Sequence, residues 1–159
     1  MSSTLIFTLT FAATLGSGLV AGIFYGFSSF IMGALGRLPA PQGIAAMHSI
    51  NVVVINAKFF VAFFGTAALC LVLGVYALLN WTADGAWLLL AGAALYLVGC
   101  IGVTMGGNVP LNNALARAAP ESAEGAALWS RYLVVWTRWN SVRTAASLAA
   151  AACFIGAMV

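Results

Sequence analysis

The sequence has very few charged residues: six basic and three acidic side chains among 159, or 6% of the chain. Soluble domains carry about 25% charged residues, so nine charges cannot cover a water-soluble surface of this size. The net charge of only +3 provides no basic patch for nucleic acid. The scarcity of charge therefore argues against a soluble enzyme and a nucleic-acid-binding protein, and favours an integral membrane protein.

Residues that bind metals or form disulfides are also scarce. The chain has one histidine and three cysteines. The cysteines, which all lie within apolar runs, are Cys70, Cys100 and Cys153. Their spacing fits no zinc motif and is typical of small buried hydrophobic residues. The acidic residues, which all lie between apolar segments, are Asp84, Glu121 and Glu124. The sequence therefore predicts no metal site, and it disfavours di-iron chemistry and cation-coupled transport.

Apolar residues make up 64% of the chain and form four long segments. These predicted spans cover residues 4–35, 52–79, 86–105 and 141–158. A membrane-spanning helix needs about 20 apolar residues, so the sequence predicts an all-α fold: one domain forming an antiparallel four-helix bundle in the plasma or inner membrane. Basic residues occur in the first and third links but not in the second, which places both termini outside the cytoplasm.

The third link predicts where the long fourth helix begins. Ser122 is a suitable N-cap residue, and Glu124 in the first turn would interact favourably with the helix dipole. A helix from Ser122 into the last span is longer than the hydrocarbon is thick, so it should extend beyond the bilayer. The pair Gly106 and Gly107, followed by Pro110, predicts that the third helix ends there.

Several polar residues lie where lipid is expected. On a continuous second helix, His48, Asn51 and Lys58 would share one face. Lys58 would lie inside an apolar stretch, where a charge costs at least about 2.5–3.5 kcal/mol, so it must snorkel, pair or face a cavity. His48 is a candidate proton acceptor because its ordinary pKa is near neutrality; the alternative is a hydrogen-bonded interface residue.

The fourth helix carries an aromatic and polar stripe. Its members are Trp129, Tyr132, Trp136, Trp139, Asn140 and Arg143. Aromatic residues are typical membrane-interface anchors, but that role does not explain Asn140 and Arg143. Because the arginine stays charged, it needs acceptors. The candidates are Asn51, Asn108, Asn112 and the carbonyl groups at the end of the third segment. A structural polar knot and a ligand-binding site both remain open from these residues.

Four stretches of the sequence resemble one known family. They are GIFYGFSSFIMGAL at 22–35, AMHSIN at 46–51, TMGGNVPLNN at 104–113 and WSRYLVVWTRWNSVRT at 129–144. The most specific parts are NVPLN and WNSVR. Together they are similar to the anthrone oxygenase-like family of small four-helix membrane proteins, and the likeness covers nearly the whole chain.

The resemblance implies oxidation of an anthrone-type aromatic to a quinone by dioxygen, without metal or flavin. The chain has residues suited to this reaction, and each role is a hypothesis. The aromatic residues that would contact the ring are Phe24, Tyr25, Trp136 and Trp139. Arg143, Asn108 and Asn140 would bind the oxyanion, and His48 would accept the proton. Further substrate contacts are expected from Asn51, Lys58 and Asn112. The predicted partners are a hydrophobic aromatic or quinone-like molecule and the lipid bilayer.

Two alternatives remain. One is a non-catalytic scaffold subunit, whose polar residues would pair with each other and leave no void. The other is a haem- or quinone-binding protein, in which His48 would supply one axial ligand. An active site predicts instead a cavity reached from lipid, with the asparagines and Arg143 pointing into it. A stripe of small residues on the first segment predicts close helix packing and permits a homo-oligomer. Its members are Thr14, Gly18, Gly22 and Gly26.

Overall fold

In the computed structural model, which describes residues 3–159, the chain forms five helices joined by short links. They are α1 (Ser3–Leu35), α2 (Ala40–Val53), α3 (Ala57–Leu79), α4 (Ala86–Arg117) and α5 (Ala123–Gly156). Three segments have π-helical geometry: Phe27–Ile31 in α1, and Leu95–Gly102 and Thr104–Asn108 in α4. The helical fold is confirmed for these residues, with five helices in place of the four predicted.

Three helices of the described chain, α1, α3 and α4, are long and apolar enough to cross a membrane. These three helices agree with the membrane character that the composition predicts. The last helix, α5, is not among them because it is the most polar long helix. Three of its polar residues, Asn140, Arg143 and Ser147, are buried inside the protein.

Contacts of α5 with its neighbours show that it runs antiparallel to both α1 and α4. Asn140 bonds the Phe24 carbonyl, and further along α1 the packing partner of Gly36 is Leu133. On α4, the small residue Gly92 lies against Phe154 and Gly107 lies against Trp139. Residue numbers rise on one helix as they fall on the other, as an antiparallel arrangement requires.

Close packing of small residues occurs on α4 but not at the predicted positions of α1. A Cβ on Gly92 would lie 2.7 Å from the Phe154 ring, whereas one on Gly18 or Gly22 would meet no described atom within 4 Å. We therefore expect Gly92→Leu to lower the free energy of unfolding by about 1–3 kcal/mol through overpacking. Gly18→Leu, the matched control, should change it by about 0.5 kcal/mol or less. Chemical unfolding in detergent micelles measures both; equal effects would contradict this packing.

The buried apolar residues form two clusters stacked along the bundle. The larger cluster joins α1, α3, α4 and α5 and includes Val20, Leu73 and Phe154. The second joins the other ends of α1, α4 and α5 with α2, and it includes Met47 and Trp129. In this second layer α2 occupies the position that α3 holds in the first, so the two layers meet where α3 begins.

The predicted second segment, residues 52–79, is interrupted, and this corrects the expectation for Lys58. Asn56 has extended backbone angles and caps α3, since its side chain accepts from the Phe59 N–H and donates to the Val53 carbonyl. His48 and Asn51 therefore belong to α2, and Lys58 lies in the first turn of α3, exposed. A lysine in this position avoids the cost that a charge inside an apolar membrane-spanning stretch would carry.

The predicted third helix, residues 86–105, continues further, to Arg117. The expectation that Gly106 and Gly107 end it is wrong because the helix widens into a π turn at this point, where the Val109 N–H donates to the Thr104 carbonyl. Pro110 then lies near the start of a new α-helical stretch, where its missing N–H costs little.

The predicted start of the last helix is confirmed. The Ser122 hydroxyl accepts from the Gly125 N–H at 2.9 Å. The helix that follows has 34 residues, which corresponds to about 51 Å.

Candidate functional site

A cavity of about 260 Å³ lies where the two layers meet, and all five helices contribute to its wall. Most lining residues are aromatic or aliphatic. The polar members are Asn51, Thr104, Asn112 and Arg143. Small-molecule sites are typically concave and mostly apolar, with a few placed polar groups. The composition of this wall is therefore typical of a site for an aromatic ligand.

Arg143 supplies a buried positive charge at the wall of the cavity. Its guanidinium donates to Asn140 Oδ1 at 2.7 Å and to Thr104 Oγ1 at 3.2 Å, and both acceptors are neutral. The asparagines predicted as its acceptors, Asn51, Asn108 and Asn112, are not its partners, so that expectation is wrong. Its Nε has no hydrogen-bond partner among the described residues. The side chain is only 5% exposed, and burial of a charge without a counter-ion is costly. An anion in the cavity would relieve that cost.

Aromatic rings flank the guanidinium. Its Cζ lies 3.9 Å from the centroid of the Phe24 ring and 5.4 Å from that of Trp136. Such cation–π contacts stabilise a cation without neutralising it. Arg143 therefore keeps its charge available to a ligand while its orientation is fixed.

Asn140 connects Arg143 to α1. Its side-chain amide donates to the Phe24 carbonyl and to Ser28 Oγ at 2.6 and 2.7 Å, and its oxygen accepts from Arg143. The π segment of α1 begins at Phe27, directly beside this contact, and π turns are frequent at functional sites. Asn140 is fully buried and does not line the cavity, so it fixes the arginine on the side away from the cavity.

A second polar group lies on the α4 side of the cavity. Asn112 Oδ1 accepts two hydrogen bonds, from the Tyr132 hydroxyl at 2.7 Å and from Trp136 Nε1 at 2.8 Å. Trp129, Tyr132 and Trp136 stack successively, with ring centroids 5.6 and 5.8 Å apart. Asn112 therefore fixes the plane that Trp136 presents to the cavity.

The eleven site residues predicted from the sequence fall into three groups. Those that line the cavity are Phe24, Asn51, Asn112, Trp136 and Arg143. Two more, Asn108 and Asn140, are buried but do not line the cavity. The four on exposed surface away from the lining are Tyr25, His48, Lys58 and Trp139. The catalytic and binding roles of all eleven remain predictions.

Asn108 connects α4 to α5 rather than facing a ligand. Its amide donates to the Trp136 carbonyl at 3.1 Å, and its Oδ1 has no partner among the described residues. The structure thus combines features of both alternatives: paired asparagines, as a scaffold predicts, and a cavity beside Arg143, as an active site predicts.

Sequence analysis missed Thr104 and the phenylalanines of α3. Thr104, Asn108 and Asn112 are spaced by four residues and lie on one face of α4. A helix that ends near residue 105, as expected from the sequence, does not contain this face. The α3 phenylalanines that line the cavity are Phe59, Phe60, Phe63 and Phe64. Their clustering is visible in the sequence, but in a membrane helix it is also typical of lipid-facing residues.

Within residues 3–159 no group of three histidine, cysteine or acidic residues is placed to hold a metal ion. The side chains identified around the cavity offer amide, hydroxyl and guanidinium groups, which suit an oxygen-bearing organic ligand.

Comparison with protein-family models identifies a family for this chain. A family model described as anthrone oxygenase matches residues 58–153, which is more than half of the chain. The matched region contains Arg143, Asn140, Trp136 and the polar face of α4. A search of curated proteins found no match, and neither did a comparison with solved structures.

Proposed function

Because the chain belongs to the anthrone oxygenase family, we propose that it oxidises a flat, anthrone-like aromatic to a quinone with dioxygen inside the cavity. The observation that supports this most directly is the buried guanidinium of Arg143, which has only neutral hydrogen-bond acceptors and faces an aromatic wall. A deprotonated anthrone is a flat aromatic anion, and it is complementary to such a site in both shape and charge.

The reaction balances without another reductant. The substrate loses a proton from its central CH2 group to give an oxyanion, and the electron-rich carbon then reacts with dioxygen. Both C–H bonds of that carbon are replaced by a C=O bond. One oxygen atom enters the quinone and the other leaves as water. The protein must bind the ring, stabilise the anion and exclude side reactions.

The residues that line the cavity suit those tasks. Arg143 binds the oxyanion, since a donor placed where negative charge develops lowers the barrier. Thr104 and Asn140 hold the guanidinium in position. Trp136, whose Nε1 bonds Asn112, offers a ring face for the substrate. Asn108 stabilises this arrangement by joining α4 to α5.

We propose that no metal, haem or flavin takes part. Anthrone anions react with dioxygen directly, and the polar groups identified around the cavity are amides, a hydroxyl and a guanidinium. An absorbance spectrum of the purified, active protein tests this proposal. Bands of haem or flavin in proportion to activity would contradict it.

The proposed membrane arrangement has four crossings in the plasma or inner membrane, formed by α1, α3, α4 and the apolar end of α5. Ser3, Asp84 and Met158 lie around one pocket, so both described ends of the chain and the short link meet at one end of the bundle. The basic links meet at the other end. With the basic end in the cytoplasm, both termini lie outside.

The position of His48 makes a test of the proton acceptor decisive. The side chain is exposed on α2 and is not among the cavity residues, so we propose that the substrate loses its proton to water. His48→Gln should keep turnover within about threefold, which is under 1 kcal/mol. The measurement is quinone formation under air. A fall of about 10²–10⁴-fold would instead support His48 as a general base.

A second candidate function is a non-catalytic binding subunit, favoured by the pairing of Asn108 and Asn140 with backbone carbonyls. Oxygen consumption by the purified protein with an anthrone separates the two functions. Quinone formation above the spontaneous rate supports the oxygenase. A spontaneous rate only, together with saturable ligand binding, supports the binding subunit.

A further inference from the structure

The cavity has an opening whose rim consists of exposed apolar side chains. Ile55, Phe60, Phe64 and Met105 line the cavity, and they are 65%, 42%, 49% and 60% exposed, respectively. The polar groups lie deeper, with Arg143 only 5% exposed. The site is therefore apolar at its rim and positively charged at its inner end.

The level of this rim relative to the bilayer follows from the start of α3. Asn56 caps the helix, and the exposed Lys58 in its first turn is typical of a side chain that reaches the lipid headgroups. Phe60 and Phe64 follow it by two and six residues, or about 3 and 9 Å along the helix axis. The part of the rim formed by Phe60 and Phe64 thus lies at the edge of the hydrocarbon, just beneath the headgroups.

We infer that the cavity receives its ligand laterally from the bilayer, through a portal between α3 and α4 formed by Ile55, Phe60, Phe64 and Met105. The ligand class is a membrane-partitioned aromatic whose acidic oxygen reaches Arg143 while its ring passes the portal. This inference rests on the proposed function only in taking the cavity as the ligand site, and not in the reaction.

An aqueous route would predict a different rim. Large apolar side chains that surround an opening to water cost free energy when they are exposed, whereas in lipid the same exposure costs nothing. Contiguous exposed apolar patches mark membrane or ligand contacts. A ligand dissolved in hydrocarbon also passes this rim without losing a hydration shell.

Cysteine labelling in lipid vesicles tests the portal directly. Met105→Cys introduces a thiol at the rim, and Val98→Cys introduces one at a site that is 71% exposed on the same helix and outside the cavity. The unsubstituted chain gives the background of the native cysteines. We expect a lipid-soluble maleimide to label both variants and a membrane-impermeant maleimide to label neither.

A hydroxylated anthraquinone, stable in air and product-like, then serves as the ligand probe. It should slow lipid-soluble labelling of Met105→Cys by about tenfold, as expected for a site mostly occupied at saturation, and leave Val98→Cys unchanged. Two results would overturn the portal. One is labelling of Met105→Cys by the impermeant reagent as fast as by the lipid-soluble reagent. The other is no protection of Met105→Cys by the probe.

A bulky residue at the rim tests passage during turnover. Met105→Trp should lower kcat/KM for an anthrone by about tenfold, whereas Val98→Trp should stay within about twofold. Equal values for the two variants would overturn the portal. If the unsubstituted protein fails to turn over anthrone, the proposed oxygenase function fails, and the labelling experiment still decides the portal.

Discussion

Replacing Arg143 with methionine is expected to lower kcat/KM for an anthrone by about 10²–10³-fold, the usual loss on removing a group that stabilises an oxyanion. Methionine keeps much of the apolar contact with the Phe24 and Trp136 rings but removes the charge. Quinone absorbance under air, corrected for the spontaneous rate, measures the effect. Arg143→Lys should retain part of the activity, because the charge remains while the hydrogen bonds to Thr104 and Asn140 are lost.

Arg138→Met is the matched control, since Arg138 lies on the same helix but is exposed. It should leave kcat/KM within about twofold. The stability of Arg143→Met must be measured together with its rate, because two effects oppose each other. Removing a buried charge that has no counter-ion stabilises the protein, whereas Asn140 Oδ1 loses the hydrogen bond that Arg143 donates to it. Full activity in a folded Arg143→Met protein would refute the assignment of the oxyanion site.

The largest effect on stability is expected at Asn140. Replacing it with leucine removes the donor for the Phe24 carbonyl and Ser28 and the acceptor for Arg143, all in a fully buried position. Each buried polar group left without a partner costs about 1–3 kcal/mol. We therefore expect the free energy of unfolding to fall by about 3–5 kcal/mol, measured by denaturant titration in detergent micelles.

Two variants make this result specific. Asn113→Leu removes an exposed amide on α4 and should change the free energy of unfolding by about 0.5 kcal/mol or less. Asn140→Asp keeps an acceptor for Arg143 and loses the donor to Phe24, so it should be less damaging than leucine. A loss at Asn140→Leu no larger than that at Asn113→Leu would show that the hydrogen bonds between α1 and α5 do not stabilise the fold.

The features of this fold that depend on residues close together in the chain were predicted correctly from the sequence. The helical fold and the membrane character followed from long apolar runs and scarce charge. The start of α5 followed from a local capping pattern, which is confirmed at Ser122. These features depend on neighbouring residues along the chain, and hydropathy and capping preferences report such features well.

The candidate site was predictable only in part. The stripe on the last helix correctly brought Trp136, Asn140 and Arg143 together, because residues three and four apart share a helix face. The grouping of His48 with Lys58 was wrong, because one polar residue, Asn56, interrupts the helix between them. The π turns of α4 were not predicted either, and they set which residues of that helix face the cavity.

The sequence by itself determined that this chain is helical and suited to lipid, that a buried arginine needs partners, and that its last helix begins at Ser122. Only the tertiary structure decided that those partners are Asn140 and Thr104, rather than the predicted Asn51, Asn108 and Asn112, and that a cavity remains beside them. The reason is physical: capping and hydropathy act between residues close along the chain. Besides Asn140 on its own helix, the surroundings of Arg143 come from α1 and α4. The hydrogen bond that Asn140 donates to the Phe24 carbonyl joins residues more than a hundred positions apart in the chain.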